Sequence, residues 1–103
     1  MNNQENIMNK KTLIAAGNVE APALLVILQK GYSIEVVIHK ENMTLTHYQA
    51  TKDNYIFFAT SFLQLLGLIA LWENRGDEWK LTEDEFILVK DEIEKAETRA
   101  GLD

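Results

Sequence analysis

The order of apolar and polar positions along the 103-residue chain predicts three helices and three strands. The first helix is predicted over residues 18–30, where a run of consecutive apolar residues precedes Gly31. Asn18 is suited to the N-cap. Pro22 lacks a backbone N–H, so a start at Ala21 or Pro22 itself is the alternative. The first predicted element is therefore helical, with its start left open.

Alternation with a period of two predicts strands in the next segment. The predicted strands cover residues 32–40, 44–51 and 55–59, and short turns at 41–43 and 52–54 join them. Turns of this length cannot form a parallel crossover, so the three strands are predicted to form an antiparallel meander. The second strand is the most polar, and we expect it to face solvent or to lie at an edge of the sheet.

Two capping boxes predict where the remaining helices begin. Ser61 and Gln64 match S-x-x-Q before a helix over residues 62–74, and Thr82 and Glu85 match T-x-x-E before a helix that ends near residue 99. The third helix has one apolar side, formed by residues at spacings of three, four and three. These residues are Phe86, Val89, Ile93 and Ala96.

The first two helices raise a packing problem, because each is apolar on more than one side. One face of a sheet covers only one side of a helix. The simplest solution packs both helices on one sheet face, with the third helix over their backs; a homodimer is the alternative. The predicted fold is α+β in the order α-β-β-β-α-α. It occupies residues 12–99 as a single domain, between a flexible segment at 1–11 and a frayed end at 100–103.

Charge is distributed unevenly along the chain. Residues 1–72 carry five acidic and five basic side chains, whereas residues 73–103 carry eleven acidic and five basic ones, which accounts for the whole net charge of -6. Such a surface repels phosphate backbones and attracts cationic proteins. We therefore expect no direct binding of nucleic acid, and a protein as the partner.

Composition also bears on the cellular compartment. The chain has no cysteine, which excludes disulfides and thiolate metal sites and suits a reducing cytoplasm. Its most apolar segment, residues 62–72, is too short to span a bilayer, and no secretory signal is found. We expect a cytoplasmic protein without a membrane partner.

Catalytic chemistry finds little support in the sequence. His39 and His47 lie on either side of a predicted hairpin, and together with Glu35 or Glu41 they could form a metal site or an acid/base pair. The alternative, two polar strand residues, is favoured because no H-E-x-x-H pattern occurs. No cysteine nucleophile or glycine-rich phosphate loop is present, and Ser61 is assigned to a cap. We expect no enzyme activity, no catalytic residue, no metal and no cofactor.

The link between the second and third helices has an unusual composition. Asp77 and Glu78 precede Trp79 there, and tryptophan is commonly placed in a core or an interface. The structural alternative is that Trp72 packs in the core and Trp79 covers the helix corner. The acids at the start of the third helix also have a structural interpretation. The negative charges of Glu83 and its neighbours interact favourably with the positive end of the helix dipole, so these residues could simply stabilise the helix.

The stretch SFLQLLGLIALWENRGDEWKLTEDEF, residues 61–86, resembles a group of small bacterial proteins with the pattern L-x-L-L-G-L-x-A-L-[WY]-E-x-R-G-x-x-W. The resemblance covers about the last half of the chain and implies no catalytic residue. In size, acidity, absence of cysteine and absence of a catalytic motif, the chain is also similar to immunity proteins of bacterial contact-dependent inhibition systems. This similarity implies a cytoplasmic binder that neutralises a cognate toxin, with a basic nuclease as the expected partner.

The first hypothesis is therefore an immunity protein that acts through an acidic surface. The residues predicted to bind the partner are Glu73, Asp77, Glu78, Trp79, Glu83, Asp84 and Tyr48. The second hypothesis is a small regulatory or scaffold protein that acts as a homodimer through its apolar helices. A hydrolase that uses His39 and His47 ranks last.

Overall fold

The computed structural model describes residues 10–39, 41–42 and 44–101 of the chain. These residues form α1 (Glu20–Gln29), β1 (Ser33–His39), β2 (Thr44–Lys52), β3 (Tyr55–Ala59), α2 (Phe62–Arg75) and α3 (Glu83–Arg99). The predicted α+β class and the order α-β-β-β-α-α are confirmed. Two compact units divide the chain between Ile69 and Ala70. The single domain over residues 12–99 stays a prediction, and the predicted loose ends fall mostly on residues 1–9 and 102–103, outside the described residues.

The start of α1 differs from the prediction that Asn18 is its N-cap. The side-chain oxygen of Asn18 accepts a hydrogen bond from the backbone N–H of Ala16 at 3.0 Å, and Val19 occupies the N-cap without a side-chain hydrogen bond. The Asn18 prediction is wrong because a local turn takes up its carboxamide. Pro22 lies in the first turn of α1, where backbone N–H groups need no acceptor within the helix.

The end of α1 confirms the predicted role of Gly31. Gly31 has a φ of +95°, and its N–H donates to the carbonyl of Leu28 at 3.0 Å. The N–H of Tyr32 donates to the carbonyl of Ile27 at 3.4 Å, which completes a Schellman ending. The side chain of Lys52 also donates to the carbonyl of Lys30 at 2.7 Å, so β2 is joined to the end of the helix.

The three strands form an antiparallel sheet in the order β1-β2-β3. The predicted meander is confirmed, but β2 lies at the centre, so its expected edge position is wrong. A meander with two short turns places the second strand between the other two, whatever its polarity. The alternative expectation, that β2 faces solvent, does not hold at Ala50 near its centre. Ala50 is completely buried.

One face of the sheet carries the core of the first unit. Ile34, Ala50 and Phe57 pair across the three strands and therefore point to the same face. Phe57 is 6% exposed, whereas its neighbours Ile56 and Phe58, which point to the opposite face, are 54% and 51% exposed. The predicted packing of helices on a single face is thus confirmed within this unit.

Both α1 and α2 contribute buried residues to this core at helical spacing. Ala23 and Ile27 lie one turn apart on α1, and Leu65 and Ile69 lie one turn apart on α2, all at most 4% exposed. At the other end of the covered face, the ring of Tyr48 stacks on Phe62 with centroids 4.1 Å apart. Full burial of such an isoleucine or leucine contributes about 1.5 to 3 kcal/mol to stability.

The start of α2 is capped by a residue distant in sequence. The two carboxylate oxygens of Glu20 accept hydrogen bonds from the backbone N–H groups of Phe62 at 2.8 Å and Leu63 at 2.9 Å. Ser61 accepts from the N–H of Gln64 at 3.1 Å, which confirms the serine half of the predicted box. The glutamine half is wrong, because the side chain of Gln64 accepts from Thr60 instead.

The predicted apolar side of α3 is exposed. Phe86, Val89 and Ile93 are 58%, 42% and 54% exposed, and no residue of α3 is buried. Coverage of this side by the first two helices stays a prediction, because α3 belongs to the second unit. Within the second unit, residues 70–75 of α2 are the only other helical residues described, and they are too few to cover the 17 residues of α3. Among the described residues, no helix combines the length and apolarity needed to cross a membrane.

Candidate functional site

The candidate site lies in the second unit, in the corner formed by residues 76–82 between α2 and α3. Gly76 begins this corner with a φ of +80°, and its N–H donates to the carbonyl of Trp72 at 2.7 Å. A Cβ at position 76 would meet no atom within 4 Å. The backbone conformation, and not lack of space, therefore favours glycine here.

Arg75 connects the end of α2 to both the corner and α3. Its Nε donates to the carbonyl of Trp79 at 2.9 Å, and its Nη2 donates to a carboxylate oxygen of Glu85 at 2.6 Å. The guanidinium is partly sheltered, with a side-chain exposure of 29%. These bonds hold the corner and the first turn of α3 to one another.

The same carboxylate closes the predicted capping box of α3. Glu85 accepts from the backbone N–H of Thr82 at 2.9 Å, and the Thr82 hydroxyl accepts from the N–H of Glu85 at 3.2 Å. This prediction is confirmed. The hydrogen bond from Arg75, followed by that from the Thr82 backbone, lowers the pKa of Glu85 from 4.5 to about 2. The bond to Glu85 in turn raises the pKa of Arg75.

Trp72 near the end of α2 and Trp79 in the corner are both half-buried. The indole N–H of Trp72 donates to a carboxylate oxygen of Asp77 at 2.9 Å, so this predicted partner-binding acid also orders its own chain. The ring of Trp79 lies 5.8 Å from the amine of Lys80, within range of a cation–π contact. Trp79 is consequently held by its backbone and partly covered on its ring.

The remaining predicted acids are exposed side chains in or beside this corner. Glu78 lies within the corner, Glu83 and Asp84 lie in the first turn of α3, and Glu73 lies on the last turns of α2, and all four are exposed. The structure thus brings six of the seven predicted site residues into one unit. Tyr48, the seventh, belongs to the first unit, where it stacks on Phe62.

Charge remains concentrated in the second unit when only described residues are counted. Residues 73–101 carry ten acidic and five basic side chains, a net charge of -5. The described residues before them carry four acidic and four basic side chains and are neutral. Arg75 and Lys95 are the two bases in ion pairs between described residues; Lys95 lies 3.1 Å from Asp91 and 3.8 Å from Glu92.

Sequence reasoning missed Arg75, whose guanidinium donates to the carbonyls of Trp79 and Lys80 and to the carboxylate of Glu85. A signal for it existed, because an arginine at the end of one helix preceded a T-x-x-E box at the start of the next. The box was assigned to capping alone. An acid that closes a capping box retains oxygen lone pairs, and a nearby guanidinium can occupy them.

The two histidines lie in the sheet of the first unit. His39 pairs with Thr44 and His47 with Val37, and the ring of His47 meets Phe58 edge to face at 4.9 Å. In the described part of the chain, no group of three His, Asp or Glu side chains is arranged to hold a metal ion. The geometry therefore gives the hydrolase hypothesis no support.

Comparison of the chain with protein-family models, with curated proteins and with solved structures finds no match in any of the three. The resemblance of residues 61–86 to small bacterial proteins stays a prediction. The strongest observation on function is thus a hydrogen-bonded helix corner that presents an acidic, solvent-exposed surface.

Proposed function

We propose that this protein is an immunity protein that neutralises a cationic toxin, a basic nuclease, by occupying the toxin's nucleic-acid-binding surface. The observation that carries the proposal is the segregation of charge: the described residues of the second unit hold a net charge of -5, and those of the first unit are neutral. It acts in the cytoplasm, where the nuclease would meet its substrate, and it acts by binding and not by catalysis.

The mechanism follows from electrostatics. A nuclease holds the phosphate backbone with lysine and arginine side chains, and a surface of exposed carboxylates competes for the same cations. Long-range attraction between the two surfaces speeds association, and salt weakens it. Glu78, Glu83 and Asp84 are the exposed acids closest to the corner, and Trp79 offers an aromatic side chain beside them.

Rigidity of the corner supports a binding role. The bonds from Arg75 to Trp79 and Glu85, and the capping box of Thr82, fix the backbone that carries these acids. A preorganised surface loses less conformational entropy when a partner binds. The hydrogen bonds of the corner thus favour binding with little loss of backbone freedom.

The test starts with the reading frame upstream of this gene, which the proposal expects to encode a secreted protein with a C-terminal toxin domain. Co-expression with this chain should restore growth to cells that make the toxin domain. Purified, the two should form a complex whose association slows as salt is raised.

The charge-reversal pair Glu78→Lys and Glu83→Lys tests the surface. It should slow association by about tenfold or more at low salt, since charge-steered rates change over decades. The matched control is Glu35→Lys with Glu41→Lys, which makes the same change in net charge on exposed residues of the first unit. Equal slowing by both pairs, or by neither, would contradict the assignment of the acidic corner as the binding surface.

A second candidate function is favoured by the exposed apolar residues of α3. A regulatory or scaffold protein that acts as a homodimer would cover Phe86 and Ile93, which are 58% and 54% exposed. Sedimentation of the isolated protein across a range of concentrations decides between the two. The homodimer requires a dimer at micromolar concentration, and the immunity protein requires none.

A further inference from the structure

The ring of Trp79 carries a cation that belongs to its own chain. The ammonium of Lys80 lies over this ring, 5.8 Å from its centre, and the attraction of a cation to an aromatic face extends to about 6 Å. The exposed carboxylate of Glu78 belongs to the residue that precedes the ring. An aromatic ring beside an acid is a favourable place for a cation, and here the chain itself supplies one.

The backbone beneath this contact is held by Arg75. Its Nε donates to the carbonyl of Trp79 at 2.9 Å, and its Nη2 donates to the carbonyl of Lys80 at 3.4 Å. These bonds hold the peptide groups of both residues and do not involve the Lys80 side chain. Lys80 is exposed, whereas Trp79 is half-buried. The lysine side chain can therefore leave the ring without breaking the hydrogen bonds of the corner.

The contact between Lys80 and Trp79 is of a kind that another cation can replace. A lysine over an exposed ring gains little, because its compact ammonium is strongly hydrated. A guanidinium is flat and more weakly hydrated, and it stacks directly on aromatic faces. Lysine is thus the weaker of the two cations on this ring.

We propose that Trp79 is the binding site for an arginine side chain of the partner, which takes the place of Lys80 on the ring. The inference rests on the proposed function, which makes the partner cationic, and it adds which side chain is recognised and where. Charge favours this occupant, because the described residues of the second unit carry a net charge of -5. Lys80 is then an internal competitor that occupies the ring until the partner binds.

Recognition of arginine suits the neutralisation of a nuclease. Arginine is a preferred residue for holding phosphate groups, because its guanidinium matches their geometry. A ring that captures such a side chain removes it from the surface that binds nucleic acid. The exposed acids of the corner attract the partner from a distance, and Trp79 selects one of its side chains on contact.

Nuclear magnetic resonance of the full chain with two peptides tests the site. One peptide consists of arginines and the other of the same number of lysines, so the two have equal charge. The indole N–H signal of Trp79 reports what reaches the ring, and its disappearance in Trp79→Phe distinguishes it from that of Trp72. The arginine peptide should move this signal at a lower concentration than the lysine peptide does.

Removal of Lys80 should strengthen binding of the arginine peptide. Lys80→Met should lower its dissociation constant by about two- to fivefold, because the peptide no longer has to displace an internal cation. The matched control is Lys90→Met, which removes the same charge from another exposed lysine of the second unit and should have a smaller effect. Both lysines are exposed, so circular dichroism should show unchanged helix content in each variant.

The same substitutions in chains with an altered ring separate contact from charge. In the Trp79→Leu background, Lys80→Met should change binding no more than Lys90→Met does, because only the long-range effect of charge remains. Trp79→Phe keeps a smaller aromatic ring at this half-buried position. The gain from Lys80→Met should be intermediate there, because phenylalanine attracts cations less strongly than tryptophan does.

Three outcomes would overturn the inference: an equal gain from Lys80→Met and Lys90→Met, an undiminished gain from Lys80→Met in Trp79→Leu, or equal binding of the two peptides. Failure of this inference is distinguishable from failure of the proposed function. If reversal of Glu78 and Glu83 slows association with the toxin but Trp79→Phe leaves its dissociation unchanged, the acids bind the toxin and the ring does not. If the peptides bind as expected but no toxin is neutralised, the arginine site stands and the proposed function fails.

Discussion

The hydrogen bonds between Glu20 and the start of α2 can be tested by removing the Glu20 side chain. The carboxylate of Glu20 accepts the backbone N–H groups of Phe62 and Leu63, which have no acceptor within their own helix. Glu20→Ala leaves both donors without this acceptor and also removes a negative charge from a helix N-terminus. We expect the variant to lose stability and the first turn of α2 to fray.

The expected loss of stability in Glu20→Ala follows from these two hydrogen bonds. A hydrogen bond to a charged group contributes about 1.5 to 3 kcal/mol when sheltered, and helix-cap substitutions cost about 0.5 to 2 kcal/mol. Glu20 is only half-buried and water can replace it in part, so we expect a loss of about 2 kcal/mol for Glu20→Ala. Glu20→Gln keeps one acceptor oxygen and should lose about half of that.

Urea denaturation and amide hydrogen exchange measure this effect. The control is Glu35→Ala, at an exposed acid on β1 that caps no helix among the described residues. A loss of about 2 kcal/mol lowers the melting temperature of a domain of this size by about 10 °C. Exchange should accelerate at Phe62 and Leu63 before it does at Ile69. The reasoning is refuted if Glu20→Ala and Glu35→Ala are equally stable, or if the amides of Phe62 and Leu63 exchange as slowly as before.

The remaining predictions concern the core and the corner. Leu65→Ala should cost about 3 kcal/mol in urea unfolding, because Leu65 is completely buried and the truncation leaves a cavity. Gly76→Ala should destabilise the chain by about 1 kcal/mol through its φ of +80°, whereas Gly67→Ala, in a helix and also without an atom near its Cβ, should stabilise it by about 0.5 to 1 kcal/mol; equal effects would exclude the conformational explanation. NMR titration should find the pKa of the Glu85 carboxyl near 2, and Arg75→Met should bring it back toward 4.5. Because this pKa is lowered in the folded chain, the carboxylate stabilises the fold fully above about pH 4.5 and loses that contribution as the pH falls toward 2, so an unchanged acid transition in Arg75→Met would contradict the role of the pair.

Features determined by neighbouring residues were predictable from the sequence. The Schellman ending at Gly31 and the capping box of Thr82 and Glu85 each depend on a few consecutive residues, and both are confirmed. The meander followed from the shortness of its turns. The same local reasoning failed at Asn18, because its side chain had two possible backbone donors and the sequence did not say which would bind.

Features determined by distant residues were not predictable in this way. Glu20 and Phe62 are 42 positions apart, and no sequence pattern signals that one caps the helix that the other begins. The polarity of β2 predicted an edge, but the connections of the strands placed it at the centre. The amphipathic pattern of α3 likewise shows which side of the helix is apolar without showing what covers it.

The candidate site was predictable in composition but not in geometry. Glu78, Glu83 and Asp84 are exposed, as the charge pattern of the sequence led us to expect. Asp77 has a structural bond to Trp72 that its sequence position did not indicate. Tyr48 was included as an aromatic candidate, and the structure places it in the sheet of the other unit, stacked on Phe62. Composition can thus assign a surface its charge, but the hydrogen bonds decide which acids also hold the chain together.

If a partner binds the second unit, the exposed acids and the exposed apolar residues of α3 are expected to act at different stages of binding. Arg75 and Glu85 neutralise one another at 2.6 Å, so the charge that a partner meets comes from acids such as Glu78 and Glu83, which are exposed to solvent. Charges of this kind act at a distance and mainly change how fast two proteins meet. Apolar side chains such as Phe86 act only on contact, and their loss mainly changes how fast a complex dissociates. In the complex that we propose with a toxin, we therefore expect substitution of the acids to change mainly the association rate, and substitution of an exposed apolar residue such as Phe86 to change mainly the dissociation rate.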